Sequence, residues 1–269
     1  MTPASAIDLC LLAVVTFVAA IVNSVAGGGT LLTFPVLAGI LPAGSDRLVT
    51  ANATSTIGLW PGAVAAAWAY REEREGQPPW SAWLLAPSIA GAVVGGWLVA
   101  ALPQRLFDGL VPWLILAAAV LFSAQPAITR IVAAGSPARD PDAPPTARQV
   151  GVACALQFAV AVYGGYFGAG IGILMLAMLA GLGLGDIHRL NGVKNVLGMI
   201  VNAAAAAVFA IGSVLGLNAV SWPHAAVMAV AAAVGGLFGA GVARRLPARI
   251  VRRIVAMIGF VLAAYYFSA

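Results

Sequence analysis

Charge is scarce in this chain, and so are the residues from which most enzyme sites are built. Asp, Glu, Lys and Arg make up 9% of the 269 residues, against roughly a quarter in a soluble domain. The two cysteines, Cys10 and Cys154, lie in apolar runs with no motif around them. That excludes a disulfide framework or a cysteine metal centre and leaves packing as their role. His188 and His224 are the only histidines and lack metal-ligand spacing, so helix-end or interfacial roles are expected of them. Asp8, Asp46, Asp108 and Asp186 all fall near the ends of apolar runs. None offers the intramembrane carboxylate that a proton relay or cation site would need. With no nucleophile triad, phosphate loop or zinc spacing, the chain does not read as an enzyme, and no cofactor is expected.

What is present in quantity is apolar. Hydrophobic residues account for 62% of the chain and the mean hydropathy is +0.98, values of an integral membrane protein. Uncharged intervals run 9–45, 48–70, 76–104, 109–129, 149–185 and 195–243, each long enough for at least one membrane helix of about 20 residues. The longest polar stretch, 134–147, is proline-rich and too short to fold alone, and reads as a linker. The organisation expected is a first membrane repeat at 1–133, a cytoplasmic linker at 134–147 and a second repeat at 148–269. The start has Asp8 but no Lys or Arg before its first apolar run, which favours a retained helix over a cleaved signal. A net charge of +5 would suggest nucleic acid in a soluble protein. Here it reads as arginine at the cytoplasmic membrane face, with the lipid bilayer and no nucleic acid as partner.

The two halves repeat. Residues 22–66 and 164–208 align without a gap at an offset of 142, with Leu37, Ala38 and Gly39 on Leu179, Ala180 and Gly181, and Arg47 and Leu48 on Arg189 and Leu190. Each match follows a glycine cluster, Gly27-Gly28-Gly29 or Gly168-Ala169-Gly170. The long intervals 9–45 and 149–185 measure roughly 55 Å as helix, near two crossings of a core about 30 Å thick. Each can be two short spans, a re-entrant hairpin or one broken helix. The positive-inside rule favours five segments per half: 7–25, 27–42, 47–70, 80–101 and 105–125, then 149–163, 166–184, 188–214, 222–243 and 250–267. With the linker inside, every basic residue but Arg47 and Arg105 falls on the cytoplasmic face, whereas four segments per half split them nine to five. An odd number of crossings inverts the second repeat and puts both termini outside. The fold expected is therefore an all-α polytopic membrane protein of two inverted five-segment repeats, some segments broken or re-entrant at the glycines.

Two constellations can carry chemistry. The first is Val22–Leu37, VNSVAGGGTLLTFPVL. Three glycines break a helix and free N–H groups, and a helix restarting after them aims its amides and dipole at the break, where an anion is stabilised. Asn23, Gly27, Gly28, Gly29 and Thr30 are the candidates here, with Gly168 and Gly170 in the second half. The alternative is that small residues only let helices pack closely. The second constellation is Asn52, Thr54 and Ser55, matched in half two by Lys194 and Asn195 with Asn202 two turns on. Serine and threonine can bond back to their own helix and do no more. Lys194 is the only lysine among fourteen basic residues and lies five positions inside Arg189. It either snorkels to the interface or faces a polar cavity, where it would attract an anion or take part in proton movement.

These residues resemble the sulfite exporter TauE/SafE family, also called the toluene-sulfonate uptake permeases. The resemblance lies in Asn23 with the Ala26–Leu37 run, in Thr50 to Ser55, in Gly165 to Gly170, and in Lys194-Asn195 through Asn202. It covers nearly the whole chain. One departure is Ala177 where Pro35 stands in the first half, so the second half is expected to lack that kink. The resemblance implies a multi-pass inner-membrane transporter of small sulfur-containing anions: sulfite, sulfonates or related organosulfur acids. An anion channel or facilitator, a carrier of other small carboxylates, and a structural membrane protein with packing glycines remain the alternatives. A coupling proton or other ion is a further expected partner.

Overall fold

The computed structural model describes residues 5–44, 46–69, 79–135, 145–185, 187–243 and 248–268. Most of the linker, the cluster at 71–74 and the pair 244–245 lie outside the described residues. The described residues form ten α-helices: α1 Ala6–Ala26, α2 Thr30–Ile40, α3 Arg47–Ala69, α4 Leu85–Ala101, α5 Gln104–Gly135, α6 Ala147–Tyr166, α7 Ile171–Gly181, α8 Ile187–Val214, α9 Trp222–Ala243 and α10 Ala248–Ser268. A 3-10 turn, Pro79–Leu84, leads into α4. All ten expected segments are present, five before the linker and five after it.

The differences are instructive. Segment 105–125 runs on to Gly135, with Pro112 and Pro126 inside one 32-residue helix. Proline bends a membrane helix without ending it when neighbours satisfy the freed carbonyl. Pro35 and Pro61 are likewise interior to α2 and α3. Helices α2 and α7 are both 11 residues long despite Pro35, so the proline sets no difference in length between the halves.

Among the described residues, seven helices are long and apolar enough to cross a membrane: α1, α4 with its leading turn, α5, α6, α8, α9 and α10. Helices α2 and α7 reach only about 16 Å, half a bilayer core. Helix α3 has the length, 23 residues, but carries Asn52, Thr54, Ser55 and Thr56, all buried. Its polar face is turned into protein rather than lipid. Conversely, Trp68, Trp97, Trp113 and Phe238 are exposed, as expected of surfaces bathed in lipid.

Glycine fixes how the halves dock. Gly95 and Gly96 of α4 lie so close to their neighbours that Gly95 meets the backbone of α6 at Val162 and Tyr166, and Gly96 meets α8 at Ala205 and Val208. Gly235 and Gly236 of α9 do the same against α1 at Phe17 and Ala20, and against α3 at Gly62 and Ala65. The repeat relates these partners: α6 corresponds to α1, and α8 to α3. A glycine pair in each fourth helix thus clasps the first and third helices of the other half, a small-residue packing suited to lipid, where apolar burial drives little. Contact order gives the directions. Gly91 and Gly95 meet α6 in ascending order, as Gly235 and Gly239 meet α1, so α4 runs parallel to α6 and α9 to α1. Helices α5 and α10 run antiparallel, with Trp113 against Phe267 and Ala119 against Gly259.

Candidate functional site

Helix α1 ends where Gly27 turns left-handed, at φ 72, and its N–H closes onto Asn23 O. Only glycine fits there, because a Cβ would be strained by the dihedral and would lie 2.8 Å from Gly172 Cα. Helix α6 ends at Tyr166, and Gly168 and Gly170 both take positive φ, 78 and 79, before α7 begins. The two breaks touch: Gly170 N donates to Gly27 O at 3.0 Å. Since Gly28 corresponds to Gly170, nearly equivalent points of the two repeats meet. Tyr163 braces the second break, its hydroxyl donating to Ala169 O at 2.6 Å.

Beside this junction is a small cavity of about 30 Å³ between α1, α3, α7 and α8. Asn23, Gly27, Lys194, Asn195 and Asn202 line it, along with Ser24 and Gly172. The structure therefore collects five of the thirteen candidate residues around one space. Lys194 is 4% exposed, and none of the described lining residues is acidic. Asn195 Nδ2 is buried without a hydrogen-bond partner, and Asn202 Nδ2 donates to Gly198 O of its own helix at 2.9 Å. A buried cation and an unsatisfied amide donor make a wall that favours an acceptor-rich, negatively charged guest.

The other candidates lie elsewhere. Asn52 is fully buried and its Nδ2 donates to Tyr166 O at 3.0 Å. Thr54 Oγ1 accepts from Ser221 N at 3.0 Å, and Ser55 Oγ pairs with Thr33 Oγ1 at 2.6 Å. These three join helices rather than line the cavity. Gly28 faces the ring of Phe122, and Thr30 is buried near Gly168. Several break amides have partners within the protein: Gly29 N on Asn23 Oδ1 at 3.4 Å, Gly168 N on Tyr163 O at 3.2 Å, and Gly170 N on Gly27 O. In this conformation, then, these amides hold the junction together, and side-chain donors rather than they face the cavity.

Sequence reasoning passed over Ser24, Thr33, Tyr163 and Ser221. Ser24 adjoins Asn23 and could have been added on that ground. Thr33 lies inside the quoted glycine motif, four residues from Gly29, whose carbonyl its hydroxyl also reaches at 3.3 Å. Nothing in the sequence marks Tyr163 or Ser221, whose partners come from packing.

Seven long apolar helices, two half-length helices starting at touching glycine breaks, and a buried lysine at their junction define a polytopic membrane protein with an internal polar site. Comparison with known proteins makes the class specific. The Sulfite exporter TauE/SafE family model matches residues 12–266, and the chain belongs to that family. It is 26% identical over 256 residues to a probable membrane transporter protein, ORF9, of a Sinorhizobium species, covering 95% of this chain and 90% of the relative. It is 25% identical over 259 residues to a probable membrane transporter protein of Haemophilus influenzae, covering 95% and 93%. The chain is a membrane transporter of this family.

Proposed function

We propose that the protein is a secondary transporter of small sulfur-containing oxyanions, sulfite or short sulfonates, working by alternating access about the glycine junction. The observation that carries this reading is Lys194, buried in a cavity that Asn23, Asn195 and Asn202 also line. A cation at membrane depth is costly, on the order of 3 kcal/mol, and an anion bound beside Lys194 adds a charge-assisted partner to the interaction it already makes within the protein. The cavity, at about 30 Å³, has room for little more than water. Binding an oxyanion therefore requires the walls to part, and the breaks, where backbone meets backbone without side chains between, are the natural place for that movement.

An inverted arrangement of the halves fits the observed directions. If successive helices alternate in direction, α1 and α9 share one sense, α4 and α6 the other, and α5 opposes α10, as the packing has it. The pseudo-two-fold axis then lies in the membrane plane and the touching breaks lie at its midplane, where sites of two-fold transporters sit. The arginine distribution supports an inner-membrane protein with a cytoplasmic linker and both termini outside. A coupling proton or ion remains part of the reading.

The test is uptake of sulfite into proteoliposomes, with sulfonates and sulfate as competitors, for wild type and Lys194→Gln. Saturable uptake, stimulated by sulfite on the opposite side and lost in the variant, is the expected result. Uptake without trans-stimulation would mean a channel. Uptake unaffected by the substitution would remove Lys194 from the site.

A further inference from the structure

Helices α5 and α10 pack closely near Trp113 and Phe267, then part into a groove of about 540 Å³. Arg130 of α5 and Arg252 and Arg253 of α10 stand at one end of it, and none of the described lining residues is acidic. The rest of the wall is largely apolar and includes Phe122, Met257 and Phe260. Met257 is 63% exposed and Phe260 41% exposed, so this wall opens sideways, toward acyl chains rather than into the protein. The apolar stretch of α5 ends at Ile128 and that of α10 begins at Ile250. The three arginines therefore lie at the level where hydrocarbon gives way to headgroups.

We propose that this groove binds an anionic phospholipid, its phosphate held by Arg130, Arg252 and Arg253 and an acyl chain laid along Met257 and Phe260. Guanidinium groups grip phosphate oxygens with paired N–H donors, and basic pockets between membrane helices attract anionic headgroups. A free oxyanion would use the arginines and leave the apolar wall uncovered. A zwitterionic lipid would cover the wall but bring its own cation to three arginines. Only an anionic amphiphile matches both parts of the groove. The inference does not depend on the transported substrate. It does connect with the glycine junction, because Phe122 lines the groove and its ring fills the space beside Gly28. A lipid seated there holds Phe122 against the glycine break.

The experiment uses the full chain in detergent, stripped of lipid and titrated with phosphatidylglycerol or with phosphatidylcholine of the same chains, reading the thermal unfolding midpoint. Phosphatidylglycerol should raise the midpoint saturably and phosphatidylcholine should not. Arg252→Gln with Arg253→Gln should raise the half-saturating concentration by roughly fivefold for each arginine removed. Arg105→Gln, remote from the groove, should leave it unchanged. If the double variant does not fold, Arg130→Gln at its exposed position carries the same expectation singly. Equal stabilisation by both lipids, or an unchanged titration in the folded arginine variants, overturns the proposal. So does a midpoint shift reproduced by millimolar inorganic phosphate that abolishes the lipid response, which would make the groove a site for free oxyanions.

Discussion

The third helices of the two repeats begin from the same place and arrive at different chemistry. At the 142-residue offset, Lys194 stands on Asn52, Asn195 on Ala53 and Asn202 on Trp60, while Asn23 and Ser24 of the first break stand on Gly165 and Tyr166 of the second. Around Lys194 there is a cavity with polar walls. Around Asn52 the same geometry is filled, with the amide bonded to Tyr166 O and the ring of Tyr166 against Phe107. One half-site is a strut and the other a pocket. A duplicated fold supplies two equivalent positions, but a single substrate of low symmetry needs only one charged wall. The second position is then free to become a packed support.

The sharpest way to break this comparison is to make the halves alike. Asn52→Lys places a second cation where the side chain has no exposure at all. We expect a loss of about 3 kcal/mol or more in stability, seen as failure to recover a monodisperse protein or as a large drop in unfolding midpoint. If Asn52→Lys is as stable as wild type, the supposed strut has room for a charge, and the asymmetry between the halves is only one of sequence. Next comes the reverse change. Lys194→Gln keeps an N–H donor on a side chain one bond shorter and removes the charge, so uptake should fall about a hundredfold, the worth of a charged hydrogen bond of about 3 kcal/mol. Stability should change far less than uptake, since glutamine still offers an N–H donor to the interaction that Lys194 makes within the protein. A variant that loses uptake and stability together would place Lys194 in the support instead.

The breaks sharpen the comparison further. Gly27 is required twice, by its left-handed dihedral and by the backbone of Gly172 at 2.8 Å from an added Cβ. Gly170 is required once: its φ is +79, but the nearest atom to an added Cβ is 3.6 Å away. Gly27→Ala should therefore cost about 2–3 kcal/mol and Gly170→Ala about 1–2 kcal/mol, measured as unfolding midpoints side by side. Equal losses would mean that the close approach at Gly27 relaxes freely.

Much of this frame was legible because apolar length and glycine position are written in the sequence. The ten helices, the two breaks and the membership of Lys194, Asn195 and Asn202 in one polar face all follow from spacing. The segment ends at 125 in the sequence reading, one residue before Pro126, yet α5 runs on to Gly135 because a proline in lipid only bends the helix when its surroundings satisfy the backbone. The strut role of Asn52 was hidden because an amide looks the same in sequence whether it bonds a ligand or the carbonyl of Tyr166. The clasp glycines went unseen for a different reason. Gly95-Gly96 and Gly235-Gly236 are separated by 140 residues, not 142, and lie beyond the aligned repeat. A glycine pair inside an apolar helix gives no periodic signal. Its meaning appears only when the helix from the other half is set against it.

The smallest expected effect concerns Thr54, because it separates support from site within a single helix turn. Its hydroxyl accepts a hydrogen bond from Ser221 N, and Ser221 Oγ in turn pairs with His224 Nδ1 at 2.6 Å. This ties α3 of the first half to the start of α9 in the second. Thr54→Val keeps the shape and removes the acceptor, leaving the buried amide of Ser221 unanswered at a cost of about 1 kcal/mol. That should appear as a small fall in unfolding midpoint with the apparent affinity for sulfite unchanged, since Thr54 is not among the residues lining the Lys194 cavity. A fall in affinity at unchanged stability would carry the substrate to the Asn52 side of the junction. The filled half-site would then be one face of the transport cycle, opened when the other half closes, and the contrast between strut and pocket would belong to this conformation and not to the protein.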